Sequence, residues 1–78
     1  MKHLNIIIVR QLPITNTLDK RIKFISHRFN EEITVKRNDE GLVNQSTKFL
    51  IDRGFNIVGF SYVKDEIVVI SDTFKSLK

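Results

Sequence analysis

Apolar residues recur at every second position along the first half of the chain. In "HLNIIIVR", residues 3–10, Leu4, Ile6 and Ile8 take one parity while Ile7 and Val9 take the other, the pattern of a strand buried on both faces. Pro13 has no N–H to give a ladder and ends it, and the "ITNT" that follows supplies turn residues. In "RIKFISHR", residues 21–28, Ile22, Phe24 and Ser26 alternate with Arg21, Lys23, Ile25 and His27. In "EITVKR", residues 32–37, Ile33 and Val35 alternate with Thr34 and Lys36. The two runs predict an antiparallel hairpin turning near Asn30-Glu31, where asparagine tolerates a tight turn's left-handed backbone.

The period then changes. Over residues 38–54, Leu42, Val43, Ser46, Phe49 and Leu50 fall in one stripe at 100° per residue, and Asn44, Gln45, Lys48 and Asp52 face away. This predicts one amphipathic helix with Asp39 as N-cap, Glu40 charging the first turn and Gly54 just past the end. Residues 55–63 and 66–71 return to strand character around a two-residue gap, a second hairpin. Both strands are apolar on both faces, so they either lie centrally or form a self-association surface; the pattern favours the central position. Phe24, Phe49 and Phe60 read as core.

The expected fold is therefore α+β in the order βββαββ: one largely antiparallel sheet of about five strands with one amphipathic helix on one face. The other face is left wet or covered by a partner. Seventy-eight residues hold one domain, 1–78, with 72–78 as a frayed tail. The chain's stability should be modest, roughly 4–12 kcal/mol.

Composition narrows the function classes. With no cysteine, neither a disulfide nor a thiolate metal site supports the fold, and a cytoplasmic location is the natural reading. The longest apolar run, residues 6–9, is too short to span a bilayer. The net charge of +4 is uneven: residues 1–37 hold eight Lys/Arg against three Asp/Glu, and residues 38–78 hold five against six. A positive field on the first half suits nucleic acid or an acidic protein surface.

Signs of catalysis are missing. His3 and His27 have no second His or Cys at metal-binding spacing, Asp39-Glu40 and Asp65-Glu66 are explained by capping and turns, and Gly41, Gly54 and Gly59 are too scattered to cradle a phosphate. No metal, cofactor or enzymatic activity is expected. What remains is the outward parity of strands two and three: Arg21, Lys23, His27 and Lys36 project together, with Lys20, Arg28 and Arg37 at the margins. Such a face can neutralise phosphates, and Phe29 or Tyr62, if exposed, can stack on bases.

"PITNTLDKRIK" resembles a turn-strand motif of small, functionally uncharacterised bacterial, plasmid and phage proteins, Pro-Thr-Asn-Thr, three variable residues, then Arg-Ile-Lys. The match is Pro13, Thr15, Asn16, Thr17, Arg21, Ile22 and Lys23, with Ile14 inserted after the proline. The resemblance implies carriage by a mobile element and no particular reaction. Thr15, Asn16 and Thr17 either fold onto nearby backbone amides or join Arg21 and Lys23 in a polar, basic patch.

Three readings follow. The first is a non-catalytic, phage- or mobile-element-encoded binding module that inhibits or modulates a host protein or nucleoprotein complex by occupying its surface, as anti-CRISPR and other anti-defence proteins do. The second is direct nucleic-acid binding through the basic sheet face. The third is a homodimeric interaction protein. Candidate partner-binding residues are Thr15, Asn16, Thr17, Lys20, Arg21, Lys23, His27, Lys36 and Arg37.

Overall fold

Local pattern does not say which strands pair, and the pairing decides which faces stay open. The computed structural model describes residues 3–13, 18–37, 40–63 and 66–77. Its elements are β1 (Asn5–Leu12), β2 (Asp19–Ile25), β3 (Asn30–Lys36), α1 (Leu42–Asp52), β4 (Ile57–Val63) and β5 (Glu66–Ser71), the order βββαββ. They build one five-stranded sheet, β3-β2-β1-β5-β4, in which every neighbouring pair is antiparallel.

The chain leaves β3 at one edge and re-enters at β4 at the other. Four inter-strand spacings separate them, about 19 Å, so the connection must cross the sheet. The helix makes that crossing. Its buried positions, Leu42, Ser46 and Leu50, repeat every fourth residue and so share one side. Leu42 and Leu50 join Ile7 and Val9 of β1, Ile22 and Phe24 of β2, and Ile67 and Val69 of β5 in one core. Ser46 is fully buried, with its hydroxyl donating to the Leu42 carbonyl at 2.6 Å, so its polarity is satisfied within the helix.

Strand parity follows this core. Ile22 opposes Ile33, Val9 opposes both Phe24 and Ile67, and Ile7 opposes Val69, all on the helix side. β1, paired on both sides, is the middle strand. Of the last two strands, β5 is interior but β4 is an edge, which corrects half of the expected central placement. Phe60 and Tyr62 share the helix-side parity, yet they are 53% and 60% exposed because the core under α1 reaches β4 only at Ile57. Phe60 is therefore not core.

The helix starts later than its sequence predicts. Gly41 is the N-cap, no side chain caps it, and the first turn holds no acidic residue. Asp39 lies outside the described residues, and Glu40 precedes the cap rather than charging the helix. The end is as expected: Gly54 takes φ 88°, its N–H donates to the Ile51 carbonyl and that of Phe55 to the Leu50 carbonyl. These two bonds form a Schellman close, with buried Phe55 and Leu50 as its apolar pair.

One further expectation changes. The β2–β3 turn spans residues 26–29, ahead of Asn30-Glu31. The Ser26 hydroxyl accepts from the Arg28 N–H, the Ser26 N–H donates to the Phe29 carbonyl, and Phe29 is buried edge-on against Phe55. In the C-terminal segment residues 74–76 are exposed, and Leu77 is only 8% exposed, within the core. A polar network holds its root, with Asn5 donating to the Thr73 carbonyl, Ser71 Oγ to the Asn56 carbonyl, and the Asn56 N–H to Thr73 Oγ1.

Candidate interaction surface

The sheet face opposite α1 carries the other parity of every strand. Register brings Ile6 beside Ile70, and Ile8 beside both Val68 and Ile25. One strand-pair further along, Arg10 lies between Lys23 and Glu66, Lys23 opposes Glu32, Arg21 opposes Thr34, and Asp19 opposes Lys36. The face is thus divided. Toward the β2–β3 turn it is aliphatic, and toward the far end of that hairpin it is charged.

No described element seals the aliphatic half. Ile6 is 42% exposed and Leu4 more so, while Ile8, Ile25, Val68 and Ile70 are half-buried. Ile6, Ile8, Ile25, Ser26 and His27 line a shallow depression of about 290 Å³. The charged half is laced by two cross-strand ion pairs, Arg10–Glu66 at 2.9 Å and Arg21–Glu32 at 2.8 Å. Pairs this open to water contribute little stability. Arg21 Nη1 also reaches the Pro13 carbonyl, at 3.4 Å.

The sequence-derived residues separate accordingly. Arg21, Lys23 and Lys36 do share the bare face. Lys20 does not: it has the parity of Ile22 and Phe24, is 7% exposed, and donates from Nζ to the Glu40 carbonyl at 3.1 Å, just before the helix. His27 is exposed in the turn, at the opposite end of the hairpin from Lys36, roughly 20 Å along the strands. It belongs to the rim of the aliphatic half. Arg37 follows β3, exposed, its N–H donating to the Leu18 carbonyl, and Arg28 packs over the Phe74 ring. Thr15, Asn16 and Thr17 lie outside the described residues. Of the proposed stacking aromatics, Phe29 is buried, and Tyr62 is exposed on the helix side, away from the bare-face cations.

The sequence pattern reads Ile6 and Ile8 as part of a strand buried on both faces and does not single out Ile25, while Val68 and Ile70 fall in a strand for which a self-association surface is the alternative to a central place. Parity shows which side is apolar and does not show whether that side is covered. A second cleft, about 420 Å³, opens on the helix side among Gln11, Lys20, Gly41, Leu42 and Tyr62. Its one cation already serves the Glu40 carbonyl, and the residues lining it hold no nucleophile with an adjacent base. Among the described residues no three His, Asp or Glu side chains are grouped to hold a metal ion, and no helix is long and apolar enough to cross a membrane. Comparison with protein-family models, curated proteins and solved structures finds no match to the chain.

Proposed function

We propose that the protein is a small non-catalytic binding module that lays the bare face of its sheet on a macromolecular partner and acts by occupying that partner's surface. The observation that carries this reading is the continuity of the aliphatic half, Ile6, Ile8, Ile25, Val68 and Ile70, with the charged half around Arg10, Arg21, Lys23, Glu32 and Glu66. An exposed apolar patch bordered by charge has the make-up of a protein interface. A host protein or nucleoprotein complex is the partner class we favour. Inhibition of the anti-CRISPR or other anti-defence type, by a phage or mobile-element protein in the host cytoplasm, is supported by the chain's small size and the Pro-Thr-Asn-Thr resemblance.

The test is capture from nuclease-treated bacterial lysate. A partner retained by the native protein and by Asn44→Arg, on the helix, but lost by Ile6→Glu and by Arg21→Glu, supports the reading. Equal retention by all four refutes it.

Direct nucleic-acid binding is favoured by one observation, the shared face of Arg21, Lys23 and Lys36. Glu32, Glu66 and Asp19 interrupt that face, which limits the phosphates it neutralises. A salt titration decides: each phosphate contact steepens the log–log fall in affinity for duplex DNA by about 0.9. Three working cations therefore predict a slope near −3, and a flat line excludes the second reading.

A further inference from the structure

β4 is an edge strand, and an edge presents unpaired backbone N–H and C=O groups as a template for another strand. Charge, proline or a covering element normally guards such an edge. The opposite edge, β3, carries Glu31, Glu32 and Lys36. β4 lacks the first two guards, since Ile57–Val63 contains neither a charged residue nor proline, and among the described residues no element covers it. Val58, Phe60, Tyr62 and Val63 are each more than half exposed.

Both the charge pattern and the register fit one occupant. In a two-fold contact each residue meets its own copy or a near neighbour, so a charged strand risks placing like charges face to face. An uncharged strand avoids this, and it offers nothing to select a charged foreign strand. The register with β5 shifts between Ile57 and Gly59, which leaves Gly59–Val63 as the regular stretch, with Ser61 at its centre. A two-fold axis through Ser61, perpendicular to the sheet, aligns two β4 strands antiparallel. Ser61 then faces its counterpart, Phe60 faces Tyr62 twice on the helix side, and Gly59 faces Val63 twice on the bare side.

We infer that the chain pairs with a second copy of itself through β4, Phe60 of each copy against Tyr62 of the other, making one continuous ten-stranded antiparallel sheet. The axis keeps both bare faces on the same side, so the dimer offers the docking surface twice. The inference is independent of what that surface binds.

The test is the mass in solution, by sedimentation equilibrium from low micromolar to near-millimolar protein, together with single-cysteine cross-linking. The native protein should reach the mass of two chains, and association should tighten with added salt, because each copy carries +4 and the contact contains no ion pair. Phe60→Lys and Tyr62→Lys alter exposed side chains and should remain single chains with unchanged circular dichroism. The chain has no native cysteine, so Ser61→Cys should oxidise to a covalent dimer at the axis, while Thr34→Cys on β3 should not. A single-chain mass throughout the range, a dimer that survives Phe60→Lys, or cross-linking at Thr34→Cys as fast as at Ser61→Cys would each overturn the inference.

Discussion

Phe24, next to the last residue of β2, and Phe49, in the third turn of α1, stack with ring centroids 5.1 Å apart and planes 23° from parallel. The contact fixes the helix over the sheet. Arg53 lies 3.6 Å from the Phe49 ring centroid, so the outer part of the stack is closed by a cation. Phe24 is fully buried, and Phe24→Ala should cost about 3–5 kcal/mol. That is a quarter or more of the stability of a chain this size, roughly 4–12 kcal/mol. Urea unfolding should show the midpoint fall by the corresponding amount at an unchanged slope; a loss below about 1 kcal/mol would mean that the stack does not hold the helix.

Gly54 is required by its backbone. At φ 88° an L side chain is strained, and a Cβ there would meet Lys75 Nζ at 3.0 Å. The lysine can swing away, so the backbone term dominates, and Gly54→Ala should destabilise by about 1–2 kcal/mol. Gly41, whose φ is −77° with open space around a Cβ, should tolerate alanine at a smaller cost. Thermal melts of the two variants make the comparison, and an equal loss at both positions would remove the argument for the Schellman close.

Lys20 separates the buried side from the binding side. It faces the core and serves the Glu40 carbonyl, so Lys20→Met, which keeps the stem and removes the charge, should leave partner binding unchanged and move stability by no more than about 1–2 kcal/mol. Lys20→Glu would bury a carboxylate against that carbonyl and should cost several kcal/mol. Affinity for a captured partner, measured by calorimetry on Lys20→Met, Arg21→Met and Lys23→Met, should fall for the second and third alone. A matching fall for Lys20→Met would place the contact on the other side of the sheet.

What could be read from the sequence follows from which residues feel a one-sided environment. Ile22 and Phe24 alternate with Arg21 and Lys23 because one face is dry and the other wet, and a one-residue slip would invert every side chain. The same alternation assigns Lys20 to the dry face; its charge, not its position, misplaced it among the binding residues. Phe60 shows the opposite limit. Parity names its face correctly, but only the strand order tells that this part of β4 lies beyond the helix-side core. Strand order is a matter of tertiary pairing, and nothing within residues 57–63 encodes it. Ile6 and Ile8 were legible as apolar and illegible as uncovered, because a buried strand and a partner-seeking face have the same local composition. At the helix start, capping preference pointed to Asp39, whereas the buried positions set the first turn at Leu42.

The claim that matters most is that the uncovered sheet face, rather than the helix side, meets the partner. Site-specific photo-crosslinking in bacterial cells tests it directly, with the reactive side chain placed in turn at Val68 and Thr34 on the bare face and at Asn44 on the helix. A nuclease-resistant protein adduct is expected from Val68 and Thr34 and none from Asn44. Adducts from Asn44 alone, or from none of the three, would contradict it.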